Sequence, residues 1–257
     1  MTALDLFDIS GKRAVVTGGA SGIGTMIARG YLQAGAEVLI ASRKEDSLKA
    51  AVADLAPHGQ VDYVVADLAD EEGCRALGES VAERWDSLDV LVNNAGATWG
   101  APLAEQDSKS WSRVVDVNVE GVFHTTKFLL PLLRAAGTTE SPARVINIGS
   151  VDGIHVPVME TYAYSASKAA VHQLTRHLAK HLAPEITVNA IAPGPFQSRM
   201  MRATLEAAGD AIAASMPLKR IGRDEDMAGA AVFFASPAAS FITGVVLPVA
   251  GGMATAV

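Results

Sequence analysis

The chain has 257 residues, 49% of them apolar, and a formal net charge of −7 at pH 7. This length suits one α/β domain with a sizeable core, and the acidic balance argues against a nucleic-acid partner or an anionic membrane surface. The lone cysteine, Cys74, excludes an intramolecular disulfide and favours a reducing compartment, so we predict a cytoplasmic location. The first residues lack a basic start followed by an apolar block, and no apolar run reaches about 18 residues, so neither a signal peptide nor a membrane span is predicted.

Short apolar runs rich in β-branched residues alternate with longer helical patterns along the chain. Continuous apolar runs of this length are typical of strands buried on both faces of a parallel sheet. The predicted strands are 13–17, 37–42, 62–66, 89–94, 144–150, 187–192 and 244–249, and the predicted helices are 22–34, 45–56, 70–85, 108–136, 164–182 and 224–235. The alternation predicts an α/β fold: a single doubly wound Rossmann-type domain over residues 1–257, with a seven-stranded parallel sheet and helices on both faces.

The stretch VVTGGASGIG joins the first predicted strand to the first predicted helix and contains Gly18, Gly22 and Gly24. Glycine is needed where the chain turns tightly or where the backbone approaches a pyrophosphate closely. The free N–H groups and the positive dipole end of the following helix favour a bound phosphate. A structural turn is the alternative, but the position between strand and helix favours a dinucleotide site.

The residues that end the second predicted strand bear on the choice of dinucleotide. NAD-preferring sites usually carry an acidic residue there, which holds the ribose hydroxyls. This chain instead reads IASRKED, with Ser42, Arg43 and Lys44. Since a hydroxyl and a guanidinium suit a 2′-phosphate, we predict NADP(H), with NAD(H) as the alternative cofactor. The other interpretation is that Arg43 and Lys44 are solvated charges at a helix start, where cations are mildly unfavourable.

Tyr164 and Lys168 are four residues apart within TYAYSASKAA, so they share one face of a helix. Tyr162 is six residues from Lys168 and does not share that face. A nearby ammonium favours the phenolate, so we expect Lys168 to lower the pKa of Tyr164 and to let the phenol exchange protons near neutral pH.

Two further polar residues are candidates for the same site. Ser150 ends the predicted strand RVINIGS, at the sheet edge where a cofactor would lie, and its hydroxyl could stabilise a developing oxyanion. Asn118 is a polar residue inside an apolar helical stretch. Its alternative role is a structural hydrogen bond to the backbone.

Seven short motifs occur in the order typical of one enzyme family. They are TGGASGIG (17–24), ADL (66–68), NNAG (93–96), VNV (117–119), IGS (148–150), YSASK (164–168) and APG (192–194). On these motifs the chain resembles the short-chain dehydrogenase/reductases over nearly its full length. The resemblance implies a Rossmann-type oxidoreductase that acts on a small-molecule carbonyl or alcohol. It also implies a homo-oligomer, usually a tetramer. The helices 108–136 and 164–182 would pair with their copies in that assembly.

The resemblance implies a catalytic tetrad of Asn118, Ser150, Tyr164 and Lys168. Tyr164 would be the general acid in ketone reduction and the general base in alcohol oxidation. Ser150 would orient and polarise the carbonyl. Lys168 would hold the nicotinamide ribose and depress the pKa of Tyr164, and Asn118 would hold a water in a proton relay behind the lysine.

The predicted cofactor contacts follow the same motifs. Asp67 would contact the adenine end, and residues 94–96 would line the cofactor. The full predicted set is Gly18, Ser21, Gly22, Ile23, Gly24, Ser42, Arg43, Asp67, Leu68, Asn94, Ala95, Gly96, Tyr164, Lys168, Pro193, Gly194, Phe196 and Ser198. The family commonly has a threonine after its P-G turn. This chain reads PGPFQSRM and has Ser198 there, so we expect the contact with the nicotinamide carboxamide to be kept.

A segment of about residues 195–220 interrupts the alternation of strands and helices, and long segments of this kind are often lids. The segment contains six apolar side chains: Phe196, Met200, Met201, Leu205, Ile212 and Met216. They would cover an extended or hydrophobic substrate, or they would only pack the lid against the rest of the domain. The segment is also locally basic, with Arg199, Arg202, Lys219, Arg220 and Arg223 against Glu206 and Asp210. This excess of positive charge would favour a substrate that carries a phosphate or carboxylate, although a solvent-exposed helix face is the simpler interpretation. Further candidates for the pocket wall are Trp99, Asp152, His155 and Tyr162.

His177 and His181 are four residues apart, but no third ligand at a suitable spacing accompanies them, so no catalytic metal is predicted.

Within the family, four phrases most resemble bacterial NADPH-dependent 3-oxoacyl reductases of the rhamnolipid-pathway kind: NNAGATWGAPL, ARVINIGSVDGI, SKAAVHQL and IAPGPFQSRM. We therefore predict reversible hydride transfer between NADP(H) and a hydrophobic carbonyl of the 3-oxoacyl type, with Tyr164 as the acid/base. The first alternative is an NAD(P)-dependent sugar, polyol or steroid alcohol dehydrogenase. The second is a cofactor-binding sensor that has lost catalysis.

Overall fold

One parallel sheet forms the centre of the protein. The structure is a computed structural model that describes residues 2–256. The seven strands within that range are β1 (Arg13–Thr17), β2 (Glu37–Ser42), β3 (Val61–Val65), β4 (Val90–Asn93), β5 (Ala143–Ile148), β6 (Ile186–Pro193) and β7 (Val246–Val249). They pair in the order β3-β2-β1-β4-β5-β6-β7, and every pair is parallel. The order reverses between β1 and β4, so the crevice at the carboxyl ends of these strands is the place where such a sheet binds ligands.

Helices cover both faces of the sheet. The α-helices within residues 2–256 are α1 (Ile23–Gln33), α2 (Glu45–Leu55), α3 (Glu71–Ala82), α4 (Ser108–Val115), α5 (Gly121–Ala136), α6 (Tyr162–Leu182), α7 (Arg202–Ser215) and α8 (Asp224–Ala235). Apolar residues of α1, α2 and α8 pack around Val16 and Ile40 on one face. Those of α3, α5 and α6 pack around Val15 and Leu39 on the other. Because successive strand residues face opposite sides, strands β1 to β6 contribute to both halves of the core, and β7 contributes to the first. The predicted α/β fold is confirmed.

Most element boundaries differ from the predicted ones by one or two residues, which is within the fraying of helix and strand ends. Two of the differences matter for the site. The strand predicted over 144–150 ends at Ile148, so Ser150 lies in the loop just beyond the sheet edge. The helix predicted to begin at residue 164 begins at Tyr162 instead, so Tyr164 lies inside the first turn of α6.

The helix predicted over 108–136 is present, but it contains a π-helical turn that we did not predict. A π-helical turn at Asp116–Glu120 separates α4 from α5. A Cβ on Gly121 would lie 2.4 Å from the carbonyl oxygen of Leu68, so only glycine allows the helix to approach the loop after β3 this closely. π-Helical turns inside helices are often found at functional sites, and this one carries Asn118.

The segment 195–220 contains α7, a helix that our predicted elements lacked. Its backbone leaves helical geometry at Ala208, where φ is −144° and ψ is 17°. None of the α7 residues is buried, although Met216 just beyond it is. The helix therefore lies on the surface over the carboxyl edge of the sheet and adds little to the core.

The helices in the described part of the chain are too short or too polar to cross a bilayer.

Candidate active site

A cavity of about 890 Å³ lies along the carboxyl ends of the strands. Its wall runs from the glycine loop and the end of β2, past the loops after β4 and β5, to the first turns of α6 and the segment 195–220. Seventeen of the eighteen predicted cofactor residues lie in this wall, and Gly24 is the exception.

The glycine loop turns sharply at the mouth of the cavity. Gly18 and Gly22 both have left-handed backbones, with φ values of 66° and 57°, which favour glycine. No side chain caps the N terminus of α1, and Ser21, Gly22 and Ile23 at this end of the helix line the cavity. Gly24 has a packing role instead, since a Cβ there would lie 2.4 Å from the carbonyl oxygen of Gly18. The loop thus offers an uncapped helix end that suits a phosphate group.

Thr17 holds this loop to the neighbouring strand, a contact that our sequence analysis missed. Its hydroxyl accepts hydrogen bonds from the backbone N–H groups of Asn94 (2.9 Å) and Ala95 (3.0 Å). In return, the side-chain amide of Asn94 donates to the carbonyl oxygens of Thr17 (2.9 Å) and Gly18 (3.2 Å). The Asn94 side chain therefore fixes the glycine loop, and its backbone contributes to the cavity wall.

The end of β2 forms a cluster of hydroxyl and cationic groups in the cavity wall: Ser42, Arg43, Lys44 and Ser47. Ser47 was not predicted, because it lies in the first turn of α2 rather than in a recognised motif. The guanidinium of Arg43 lies 3.7 Å from the carboxylate of Asp67, and both side chains are largely exposed. None of the residues from β2 and the start of α2 that line the wall is acidic, and the nearby Asp67 comes from the loop after β3, so the donor set fits a 2′-phosphate better than two ribose hydroxyls.

Ser150, Tyr164 and Lys168 all line the cavity. Ser150 follows β5, and its hydroxyl accepts a hydrogen bond from the backbone N–H of Asp152 at 3.1 Å. Lys168 is buried, and its ammonium donates to the carbonyl oxygen of Ile148 at 2.8 Å. It lies 5.6 Å from the centre of the Tyr164 ring. The helix α6 thus presents phenol and ammonium on one face toward the end of β5, as their spacing predicts.

Burial dominates the electrostatics of this pair. It raises the pKa of Tyr164 to about 12, while a hydrogen bond with Ser150 lowers it and the charge of Asp152 raises it further. Burial lowers the pKa of Lys168 to about 8. We predicted that Lys168 lowers the pKa of Tyr164, but in the protein alone burial raises this pKa and Lys168 is not among the groups that shift it. Tyr164 is a protonated phenol at neutral pH, ready to donate a proton.

Asn118 is fully buried and lies outside the cavity wall. Its side-chain oxygen accepts from the backbone N–H of Ala97 (2.8 Å), and its amide donates to the Ala97 carbonyl (3.0 Å) and to the Ser167 hydroxyl (2.9 Å). Ser167 in turn donates to the backbone carbonyl of Tyr164 at 2.7 Å. Through these contacts Asn118 joins the loop after β4 to α6. Its side chain therefore has the structural, backbone-binding role that we gave as the alternative for this residue.

His172 is a second buried residue that our sequence analysis missed. It lies one turn beyond Lys168 on the same face of α6, and its ring packs on the loop that carries Ser150. A Cβ on Gly149 would lie 2.2 Å from the Nε2 atom of His172, and one on Gly153 would lie 2.8 Å from its Cε1 atom. The pKa of His172 is lowered to about 4, mainly by burial and to a smaller extent by the charges of Lys168 and Arg176. A neutral imidazole thus fills the space beneath the Ser150 loop.

The substrate end of the cavity combines a polar wall with an apolar rim. Asp152 and His155 line it beside Ser150, whereas Trp99 and Tyr162 do not. The rim comes from the loop after β5 and from the lid segment: Val156, Val158, Met159, Met200, Met201 and Ile212. Of the other predicted lid residues, Phe196 and Arg199 line the cavity, and the following do not: Arg202, Leu205, Glu206, Asp210, Met216, Lys219, Arg220 and Arg223.

No group of three or more His, Cys, Asp or Glu side chains within residues 2–256 could hold a metal ion. The rings of His177 and His181 lie next to each other, with centroids 4.8 Å apart and planes tilted by 33°.

Comparisons with known proteins agree with this geometry. A family model described as enoyl-(acyl carrier protein) reductase matches residues 18–254. The 3-oxoacyl-(acyl-carrier-protein) reductase of rhamnolipid biosynthesis from Pseudomonas aeruginosa is 47% identical over 249 residues, which cover 96% of this chain and 97% of that protein. Galactitol 2-dehydrogenase (L-tagatose-forming) from Cereibacter sphaeroides is 36% identical over 253 residues, or 96% of each chain.

Among solved structures, the RhlG/NADP active-site complex of Pseudomonas aeruginosa superimposes with a TM-score of 0.94 at 46% identity. The match covers 97% of this chain and 99% of that one. Full-length matches at these identities, together with the glycine loop, the β5 serine and the tyrosine–lysine pair in one cavity, assign the protein: the chain belongs to the short-chain dehydrogenase/reductase family of oxidoreductases.

Proposed function

We propose that this enzyme is an NADPH-dependent carbonyl reductase that converts the ketone of a hydrophobic 3-oxoacyl compound into a secondary alcohol. One observation carries the proposal: Ser150, Tyr164 and Lys168 line the same cavity as the glycine loop and the cationic end of β2, next to an apolar rim. Bound NADPH would supply the hydride. The chain's own residues supply the cofactor's orientation, the proton and the polarised carbonyl.

Tyr164 is the proposed general acid. Because its pKa is raised to about 12, the phenol is protonated at any physiological pH and can give a proton to the oxygen of a reduced ketone. Ser150 donates a hydrogen bond to the same oxygen and stabilises the charge that develops there. The raised pKa makes the ligand-free phenol an acid that is present in its protonated form, as the reduction step requires.

Lys168 and Asn118 are the other proposed members of the tetrad. The ammonium of Lys168, fixed by the carbonyl of Ile148, would hold the nicotinamide ribose and replace the proton that Tyr164 gives up. Asn118 would position the site through its hydrogen bonds with Ala97 and Ser167. The π-helical turn that contains it is where we propose that the water of the proton relay behind Lys168 binds.

NADP(H) is the proposed cofactor. The hydroxyls of Ser42 and Ser47 and the cations of Arg43 and Lys44 form a phosphate-binding donor set at the end of β2. The RhlG structure to which this chain is similar is an NADP complex. The uncapped N terminus of α1 suits the pyrophosphate, and Ser198 suits the nicotinamide carboxamide.

A sugar or polyol dehydrogenase is the second candidate, because galactitol 2-dehydrogenase is 36% identical to this chain. The acceptor groups of Asp152 and His155 would bind substrate hydroxyls. The apolar rim favours the 3-oxoacyl assignment, since six of its side chains are apolar and three of them are methionines.

We also propose that residues 1–257 act as one catalytic unit in a cytoplasmic homotetramer. Large apolar side chains are exposed on α4 and α5, where Trp111 is 39% and Phe123 is 44% exposed. Ala169 and Ala170 are exposed on α6 and would permit close helix approach. Phe241 is fully exposed near β7. Light scattering on the purified protein tests this assembly, and a monomer would contradict it.

A substrate panel tests the proposed function. We expect 3-oxoacyl N-acetylcysteamine thioesters to accelerate NADPH oxidation more than keto sugars or cyclic ketones do, and NADH to be the poorer reductant. A preference for keto sugars would favour the second candidate. No oxidation with any ketone would mean that the protein is not a reductase.

A further inference from the structure

Four buried polar side chains form a hydrogen-bonded chain across the domain, away from the cavity wall. They are Thr126 of α5, Asn93 of β4, Asn147 of β5 and Thr175 of α6, and each is at most 3% exposed. The amide of Asn93 donates to the hydroxyl of Thr126 (3.0 Å) and to the side-chain oxygen of Asn147 (2.9 Å). The amide of Asn147 donates in turn to the hydroxyl of Thr175 at 2.9 Å. The chain therefore joins two helices through two central strands.

The Asn147 end of this chain adjoins a contact of the active site. Asn147 immediately precedes Ile148, whose carbonyl oxygen accepts the hydrogen bond of the Lys168 ammonium at 2.8 Å. Thr175 lies about two helical turns after Lys168, and both side chains belong to the buried face of α6. Two polar contacts thus connect α6 to neighbouring residues of β5, one from Lys168 and one from Thr175.

The Thr175 hydroxyl has a fixed orientation. It donates to the carbonyl oxygen of Val171 at 2.8 Å, one turn earlier on α6, so its lone pairs are left for the amide of Asn147. The helix therefore presents a directed acceptor to β5. A hydrogen bond of 2.9 Å tolerates little displacement of its donor and acceptor, so this one forms only near the observed position of α6.

Stability alone does not account for polar side chains at these positions. The surrounding core is apolar, and replacement of both partners of a buried hydrogen bond by apolar groups of the same shape is often neutral or stabilising. The hydrophobic effect is not directional, so it holds a helix on a sheet without by itself selecting one position along the strands. A displaced α6 would leave the buried amide of Asn147 unpaired, which is costly. The bond between Asn147 and Thr175 thus opposes any slide or rotation of the helix.

We propose that Asn147 and Thr175 are positioning residues, whose hydrogen bond fixes α6 on β5 and thereby keeps Tyr164 and Lys168 in place in the cavity wall. The inference rests on the proposed function, because the rate of ketone reduction reports the position of these two groups. A misplacement of about 1 Å that originates far from the reacting atoms can lower a rate by about 10²-fold, so this rate is a sensitive measure.

Two substitutions of Thr175 test the inference. The variants are assayed with NADPH and a 3-oxoacyl N-acetylcysteamine thioester, at a temperature where circular dichroism shows each of them to be folded. Thr175→Val keeps the branched shape and removes the hydroxyl, so kcat should fall by about tenfold or more. Thr175→Ser keeps the hydroxyl and loses a methyl group, so kcat should stay close to the wild-type value. A role in packing alone predicts the opposite order.

Two further readouts separate position from stability. Asn147→Ala and Thr175→Val remove the same hydrogen bond, so the double variant should lose little more kcat than the more affected single variant. In Thr175→Val the alkaline midpoint of kcat/KM should also move to lower pH. The reason is that the Lys168 ammonium loses protons more readily when it no longer donates to the Ile148 carbonyl.

The matched control is Thr187→Val on β6. Thr187 is also buried, but its hydroxyl has no hydrogen-bond partner within residues 2–256, so kcat and the alkaline midpoint should not change. A wild-type kcat and pH profile in Thr175→Val would overturn the inference alone, as would equal losses of kcat in Thr175→Val and Thr175→Ser. If the wild-type enzyme reduced no ketone, the proposed function would fall first, and the inference would fall with it.

Discussion

The Nε2 atom of His172 occupies the space next to Gly149, so close that a Cβ on that glycine would lie only 2.2 Å away. Gly149 immediately precedes Ser150, and His172 lies one helical turn after Lys168. The imidazole therefore connects the loop of the carbonyl-polarising serine to the helix of the acid and the ammonium. Close packing of this kind makes the relative position of the three groups sensitive to a single methyl group.

Gly149→Ala should impair turnover and stability together. Its backbone is compatible with alanine, but the methyl group would overlap the His172 ring, and overpacking of this kind costs about 1–3 kcal/mol. In the double variant Gly149→Ala/His172→Ala the ring is gone, so the combined loss should be smaller than the sum of the single losses. Urea unfolding and kcat for a 3-oxoacyl thioester measure both effects.

Gly229→Ala is the matched control for that experiment, because nothing lies within 4 Å of a Cβ at this position of α8. It should keep full activity and the same or a slightly higher free energy of unfolding. Additive losses in the Gly149/His172 pair would show that the ring does not position the loop.

Tyr164→Phe should lower kcat for ketone reduction by about 10²–10⁴-fold, the usual contribution of a positioned proton donor. The substitution keeps the ring and removes only the hydroxyl, so NADPH binding, followed by fluorescence titration, should be unchanged. Tyr162→Phe is the control, since that hydroxyl binds the exposed Glu160 at 2.7 Å and does not reach the cavity. Normal turnover in Tyr164→Phe would remove the phenol from the mechanism.

The pH dependence of reduction should report Lys168 and not Tyr164. The pKa of Lys168 is lowered to about 8, and that of Tyr164 is raised to about 12. As pH rises through about 8, the ammonium loses its proton while the phenol keeps its own, so kcat/KM should fall on the alkaline side with a midpoint near 8. The profile of kcat/KM is the suitable measurement, because it reports groups of the free enzyme. Lys180→Gln, on the exposed side of α6, should leave the profile unchanged. An alkaline limb that begins only near pH 12 would contradict the assignment.

Periodicity and motif order predicted the sheet, the helices on both faces and seventeen cavity-wall residues, because these depend on local patterns. The features that were missed depend on contacts between distant segments. Thr17 accepts a hydrogen bond from Asn94 across 77 positions, and Gly121, next to the π-helical turn that carries Asn118, packs closely against the Leu68 carbonyl. The pKa of Tyr164 was predicted in the wrong direction because the i, i+4 spacing gives the proximity of Lys168 but not the depth of burial.

Arg43→Ala should separate the two nicotinamide cofactors. The loss of one charge-assisted contact to a 2′-phosphate, worth about 1.5–3 kcal/mol, would raise KM for NADPH by about 10–100-fold. KM for NADH should change little, since that cofactor has no phosphate there. Arg75→Ala is the matched control, because Arg75 is exposed, pairs with Glu72 at 3.2 Å and lies outside the cavity wall. Arg43 lies 3.7 Å from Asp67, so a bound phosphate must compete with that carboxylate for the guanidinium. Equal effects of Arg43→Ala on both cofactors would contradict the assignment of this end of β2 to the phosphate.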